Sequence, residues 1–142
     1  MRTITAAAAL VTVLLLGGAG AARAGEDEAV AQARQAALDW LALVDGGQYA
    51  RSWDEAAALF RSAIAKPEWE RAVKTTRAPL GALASRRFKS ATFARNLPGA
   101  PDGEYVVIQY DTRFENKAAA IETITPMRDK DGRFRVSGYY IK

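Results

Sequence analysis

The sequence predicts an α+β domain in which N-terminal helices pack on a curled antiparallel sheet of about four strands. From residue 26 to residue 78, apolar side chains recur at steps of three and four, which is the spacing of amphipathic helices. From residue 104 to residue 142 they recur at every second position between short polar turns, as in antiparallel strands. Helices thus come first and strands follow, without the alternation that a doubly wound parallel sheet requires.

The first 24 residues have the pattern of an export signal. Arg2 supplies a positive charge, residues 4–16 are uncharged and mostly apolar, and glycines then interrupt the run before Ala22-Arg23-Ala24. The small residues Ala22 and Ala24, at positions −3 and −1, predict cleavage after Ala24. A retained membrane helix is the alternative, but the glycines and the Ala-x-Ala end favour removal. We therefore expect a signal peptide at residues 1–24 and one α+β domain at residues 25–142, periplasmic or secreted and without a stable membrane anchor.

Three helices are predicted in the first half of the exported chain. The first covers about residues 26–45 and ends at two consecutive glycines. Asp45 is predicted to cap the second helix, whose apolar face extends over residues 49–64. Pro67 suits the first turn of the third, because a proline there loses no hydrogen bond.

Each predicted helix carries one tryptophan on its apolar face, namely Trp40, Trp53 and Trp69. Core packing is the favoured interpretation, because each indole buries a large apolar area and the helical spacing already accounts for its position. A ligand platform is the alternative, and Trp53 and Trp69 are its candidate residues.

Four strands are predicted for the sheet, and they cover residues 85–95, 104–114, 117–128 and 133–142. Phe88 and Phe93 have opposite parity, which predicts a bulge in the first strand. Glu115-Asn116 forms the turn of one hairpin, and residues 129–132 form the turn of the next.

These turns predict a register. If Phe114 lies opposite Lys117, then Tyr110 lies opposite Ile121. The same argument applied to the second hairpin, with Arg128 opposite Arg133, assigns an apolar face that consists of Val106, Ile108, Tyr110, Ile121, Met127, Phe134, Val136 and Tyr140. The opposite, polar face consists of Gln109, Asp111, Arg113, Glu122, Arg133, Arg135, Ser137 and Tyr139.

The composition excludes several kinds of site. The chain has no cysteine and no histidine, so it lacks thiolate chemistry and the commonest metal ligand and general base. We expect no metal and no cofactor. The net charge is +4, and removal of Arg2 and Arg23 with the signal would leave a smaller positive charge, so we expect no nucleic-acid partner.

Glu122 is the one acid in the apolar run of residues 118–125. Burial would make it a candidate general acid or base, with Tyr110 or Tyr139 beside it. The predicted register places it instead on the polar face near Asp111, so a solvated or arginine-paired structural carboxylate is favoured.

Arginines on the same predicted polar face give a second candidate. Arg113, Arg133 and Arg135 would form a stripe able to bind anionic lipid or polysaccharide. Because acids are interleaved with them, a solvated face without a ligand is favoured.

Five segments of the chain resemble a bacterial exported family known as domain of unknown function 4019. They are GGQYARSWDEAAALF at 46–60, RAPLGALASRRF at 77–88, EYVVIQYDTRF at 104–114, IETITPM at 121–127 and DGRFRVSGYYI at 131–141. The resemblance covers about residues 29–142. It implies export and a fold similar to the cystatin-like and nuclear transport factor 2-like α+β cone, in which helices sit in the cup of a bent sheet. It implies no particular activity.

These observations predict a small exported domain that binds a ligand or a protein partner of the cell envelope and is not an enzyme. Its candidate ligand-binding residues are Trp53, Trp69, Tyr110, Glu122 and Tyr139, and no catalytic residue is assigned. The alternative is an enzyme of the cone-shaped type with Glu122 as general acid or base. A structural partner domain in a larger assembly is a third hypothesis, which a large exposed apolar patch would favour.

Overall fold

The computed structural model describes residues 18–142 and confirms the α+β class, with helices packed against a curled, unclosed sheet of four antiparallel strands. The helices are α1 (Gly18–Asp45), α2 (Tyr49–Asp54), α3 (Ala58–Ala63) and α4 (Lys66–Arg77), and a short 3-10 turn follows at Ala78–Leu80. The strands are β1 (Leu83–Ala94), β2 (Tyr105–Phe114), β3 (Lys117–Arg128) and β4 (Phe134–Ile141), and they lie side by side in chain order. Most of the predicted signal lies outside the described residues.

The helical half differs from the prediction at two places. The predicted second helix is broken into α2 and α3, because the extended backbone at Ala57 donates its N–H to the carbonyl of Val136 on β4 at 2.8 Å. This bond attaches the chain to the sheet edge and overrides the local helical preference. Asp45 does not cap α2 either: it ends α1, and Gln48 precedes α2 without a side-chain cap. In addition, α1 extends upstream of the predicted start near Glu26.

The core lies between the helices and one face of the sheet. The bulge predicted in β1 is confirmed, since the register shifts between Phe88 and Ser90. Buried side chains from the helices contact buried side chains from the strands. They form a core cluster that includes Ala33, Ala37, Trp40, Leu41, Val44, Phe60, Trp69, Val73, Val106, Ile108, Tyr110, Ile124, Phe134 and Val136.

The register of the first hairpin is shifted by one residue from the prediction. Phe114 pairs with Lys117 as expected, but Tyr110 then pairs with Glu122 instead of Ile121. The cause is an extra residue in β3 at Ala118-Ala119, a β-bulge that exchanges the two faces of the strand beyond it. Glu122 is therefore fully buried, and Ile121 is only half-buried.

The second hairpin also departs from the prediction. Arg128 pairs with Phe134 instead of Arg133, and Ser137 is bulged out between the pairs that Val136 and Gly138 make with β3. As a result Tyr139 packs against the ring of Trp40 at 5.3 Å between centroids, while Tyr140 is 56% exposed. The predicted positions of these tyrosines were wrong, and Met127 is half-buried instead of part of the core. The other members of the predicted apolar face, Val106, Ile108, Tyr110, Phe134 and Val136, are buried as expected.

The bulge in β3 predicts that truncating two isoleucines of that strand lowers the free energy of unfolding by unequal amounts. Ile124→Ala removes a side chain that is 0% exposed, so we expect it to lower the free energy of unfolding by about 2–5 kcal/mol. Ile121→Ala truncates a half-buried side chain and should cost about 1 kcal/mol. Urea unfolding followed by circular dichroism measures both values. A larger loss for Ile121→Ala than for Ile124→Ala would contradict the observed register.

Candidate functional site

A group of polar side chains meets inside the domain, and each member comes from a different element. The members are Asp45 at the end of α1, Arg77 at the end of α4, Arg86 on β1, Thr112 on β2, Glu122 on β3 and Tyr139 on β4. We refer to these residues as the ion cluster. Two arginines and two carboxylates give it balanced formal charge, which the burial of charged groups requires.

Glu122 lies at the centre of the ion cluster and has four hydrogen-bond donors on its two oxygens. Oε1 accepts bonds from Arg86 Nε at 2.7 Å and from the Thr112 hydroxyl at 2.6 Å. Oε2 accepts bonds from Arg86 Nη2 at 3.1 Å and from the Tyr139 hydroxyl. Its side chain is 0% exposed. The carboxylate is thus saturated by donors from three strands.

Asp45 completes the ion cluster on the helical side. Its Oδ2 accepts a bond from Arg86 Nη1 at 2.7 Å, and its Oδ1 accepts bonds from Arg86 Nη2 at 3.0 Å and Arg77 Nη2 at 2.8 Å. Arg86 therefore bridges two carboxylates. Burial disfavours its charge, but the hydrogen bonds and charges of Asp45 and Glu122 outweigh burial and raise the pKa of Arg86 above its ordinary value.

Tyr139 and Tyr110 flank Glu122 on the neighbouring strands. Burial raises the pKa of Tyr139 far above its ordinary value, and the negative charge of Glu122 and the bond to it act in the same direction. Burial also raises the pKa of Tyr110. The Tyr110 hydroxyl, like Nε and Nη1 of Arg77, is buried without a hydrogen-bond partner among residues 18–142. The Arg77 guanidinium instead lies 4.8 Å from the ring centre of Phe114.

Three of the candidate residues from the sequence are brought together, but not as predicted. Tyr110 faces the core as expected. Glu122 and Tyr139 were predicted on the polar face, but the bulges in β3 and β4 bring both to the core side, where Glu122 is buried and Tyr139 is half-buried. The solvated alternative for Glu122 is wrong, whereas its pairing with an arginine is confirmed. The sequence reasoning missed four members of the ion cluster, namely Asp45, Arg77, Arg86 and Thr112. One signal in the sequence points to Arg86. It lies two residues before Phe88 on β1, so both side chains are on the core side of the sheet.

The tryptophan candidates lie in a separate aromatic group. The ring of Trp69 is T-shaped on Phe60 at 4.9 Å, and its indole N–H donates to the Ser52 hydroxyl at 2.9 Å. Trp53 is half-buried and donates to the carbonyl of Ile64 at 2.8 Å. Both indole N–H groups are thus satisfied within the chain, and Trp40, 5.8 Å from Trp69, links this group to Tyr139.

The predicted arginine stripe is not formed. Arg133 and Arg135 lie near the turn between β3 and β4, whereas Arg113 lies at the opposite end of the sheet, beside Ser85. Arg135 binds Asp129 and Asp131, with its Nη2 2.8 Å from Asp131 Oδ2. That bond and the N–H of Arg133 hold the pKa of Asp131 well below its usual range.

Within residues 18–142, no group of three or more acidic side chains is arranged to hold a metal ion. No helix of this segment combines the length and the apolar character needed to cross a membrane.

Comparison with known proteins gives one match. The model of a family described as protein of unknown function (DUF4019) matches residues 36–139. No curated protein and no solved structure matches the chain, so the likeness to the cystatin-like and nuclear transport factor 2-like cone stays a prediction.

The ion cluster predicts a large stability loss when one charge is removed. Glu122→Gln keeps the size of the side chain but leaves part of the buried Arg86 charge uncompensated, so we expect the free energy of unfolding to fall by about 3 kcal/mol. Asp111→Asn is the matched control, because Asp111 is 41% exposed and its ion pairs are worth less than about 1 kcal/mol. Urea unfolding at neutral pH measures both variants. Equal losses would show that Glu122 is not a buried partner of Arg86.

The raised pKa of Tyr139 predicts a loss of stability in alkali. The folded state keeps the phenol protonated above pH 10, the ordinary pKa, where the unfolded chain releases the proton. The contribution of Tyr139 is therefore complete below pH 10 and declines above it, by up to about 1.4 kcal/mol per pH unit. Tyr139→Phe should lower the free energy of unfolding at pH 8 by about 2 kcal/mol and lower it less at pH 11.

Tyr140→Phe is the control for this measurement, because Tyr140 is 56% exposed on the adjacent position of β4. It should match the unsubstituted protein at both pH values in urea titrations. If Tyr139→Phe and the unsubstituted protein differ by the same amount at pH 8 and pH 11, the proton on Tyr139 is not linked to folding.

Proposed function

Since the chain belongs to the DUF4019 family of proteins of unknown function, we propose that it is a small exported domain that binds a ligand or a protein partner in the cell envelope without catalysing a reaction. The observation that carries the proposal is the saturation of Glu122. All four donors around this carboxylate belong to the chain itself, so neither oxygen is free to exchange a proton with a bound molecule.

Export is supported by the sequence pattern of residues 1–24 and by the burial pattern of α1. Residues 18–28 are all exposed, and the first buried side chain of the helix is Ala29. Cleavage after Ala24 would therefore remove one exposed end of α1 and leave every core contact described here in place. The mature domain would begin with a helix over residues 25–45.

The enzymatic alternative is favoured by one observation. Glu122 is buried and has Tyr139 on one neighbouring strand and the unpartnered hydroxyl of Tyr110 on the other. This is an arrangement in which a carboxyl group can act as a general acid or base. Such a role would require Arg86, Thr112 or Tyr139 to release the carboxylate when a substrate binds.

The third hypothesis, a purely structural partner domain, has less support. The large apolar side chains exposed in residues 18–142 are Leu38, Phe88 and Tyr140, and they lie on α1, β1 and β4. Phe88 is also covered on one face by the guanidinium of Arg34, 3.7 Å from the ring centre. Because β1 and β4 are opposite edges of the sheet, Phe88 and Tyr140 are separated, and the three residues do not form the one contiguous patch that an obligate partner would need.

The test is expression of the full chain in a Gram-negative host, followed by fractionation and intact-mass analysis. We expect a periplasmic product that begins at Gly25, and we expect Ala24→Asp to abolish its formation, because a small residue is required before the cleavage point. The purified product is then heated with peptidoglycan fragments, anionic vesicles or periplasmic extract. A ligand at a hundred times its dissociation constant adds about 2.7 kcal/mol to stability and raises the melting temperature by several degrees.

Retention of the uncleaved chain in the cytoplasm, or the absence of any stabilising component, would contradict the proposal. A component that is chemically converted, with turnover lost in Glu122→Gln while binding persists, would establish the enzymatic alternative instead.

A further inference from the structure

A groove of about 1000 Å³ crosses the face of the sheet that is turned away from the helices. Its exposed or half-buried lining side chains alternate along the strands with the buried ones, and they include Arg87, Asp111, Arg113, Ile121 and Lys142. We refer to it as the outer groove. None of these residues belongs to the ion cluster, although Arg86 and Thr112 contribute to the floor between them.

The register gives the outer groove its direction and length. Arg87 pairs with Asp111, Asp111 pairs with Ile121, and Ile121 exchanges backbone hydrogen bonds with Lys142 at 3.0 and 2.9 Å. These residues form one row that crosses β1, β2 and β3 and ends at the residue that follows β4. Since neighbouring strands lie about 4.8 Å apart, the row is about 14 Å long. An extended polypeptide covers that distance with about four residues.

The walls of the outer groove have unequal charge. Arg87, Arg113 and Lys142 supply three cationic side chains and Asp111 one anionic side chain. Asp111 is compensated locally, at 3.7 Å from Arg87 and 3.5 Å from Lys89. Arg113 and Lys142 form no ion pair with any residue from 18 to 142. Charge complementarity therefore favours an anionic occupant.

The shape of the floor distinguishes between anionic occupants. Besides Arg86 and Thr112 it includes Ala118, Ala119 and Ile121 at the bulge of β3, and no aromatic ring lines the groove. A saccharide would lack a ring to stack on. A row about 14 Å long, with small aliphatic side chains and with guanidinium groups beside them, suits an extended peptide whose carboxylates pair with the arginines.

We propose that the outer groove binds an extended acidic segment of a partner protein, with Arg113 and Arg87 as the residues that pair with its carboxylates. This inference rests on the proposed function as a binding domain and gives its partner a chemical class. The contact is governed by charge at a partly exposed site, so its affinity depends strongly on salt.

The probe is a short fluorescent peptide of alternating glutamate and alanine, titrated with the full protein as isolated and followed by anisotropy. We expect binding at low ionic strength that weakens as sodium chloride is added. Arg113→Glu should weaken it about tenfold, because an attractive contact becomes a repulsive one. Arg71→Glu is the matched control: it makes the same change of charge at an exposed position of α4, away from the sheet, and should stay within about twofold of the unsubstituted protein.

Several outcomes would overturn the inference: no binding of the peptide at low salt, equal weakening by the two variants, or tighter binding to vesicles of phosphatidylglycerol with the same sensitivity to Arg113→Glu. Circular dichroism checks that Arg113→Glu is folded, and Arg87→Glu repeats the test at a second position of the rim. If the peptide fails to bind while the exported protein is still stabilised by an envelope component, the groove assignment fails and the proposed function stands. If the chain is not exported, the proposed function fails whatever the peptide does.

Discussion

The bridge that Arg86 makes between Asp45 and Glu122 is the interaction on which the rest of this structure depends. It joins the end of the longest helix to the centre of the sheet through a side chain that is only 10% exposed. Arg86 comes from β1, which is an edge strand. One residue thus ties the helical layer to both the edge and the middle of the sheet.

The energetic character of this bridge follows from its burial. Removing two carboxylates and two guanidinium groups from water has a large cost, which only close geometry and complete hydrogen bonding can offset. Glu122, Asp45 and Arg86 meet that condition, with bonds between 2.7 and 3.1 Å, whereas Nε and Nη1 of Arg77 have no hydrogen-bond partner among residues 18–142. Apolar side chains of similar volume are often as stable as a buried ion pair, so the burial of this bridge is not a measure of how much it stabilises the domain.

The fold class and the elements of the sheet could be predicted from the sequence, but the faces of β3 and of the second half of β4 could not. β3 begins and ends at the residues predicted for it, because Glu115-Asn116 and Gly132 mark its turns. The bulge at Ala118-Ala119 escaped prediction, because consecutive alanines carry no alternation of polarity from which a slip of register can be read. Asp45 and Arg86 are separated by 41 residues and Arg86 and Glu122 by 36, and no local pattern reports contacts over such distances.

The distribution of the ion cluster over α1, α4 and all four strands has a consequence for the time course of folding. Arg86 cannot find both of its partners until the chain is ordered from Asp45 to Glu122, and Glu122 lacks its last donor until β4 brings Tyr139 to it. Contacts of such long sequence separation form late, after a large loss of chain entropy. A nascent chain without its final strand therefore contains all four charged groups of the ion cluster, but one oxygen of Glu122 still lacks the hydroxyl of Tyr139.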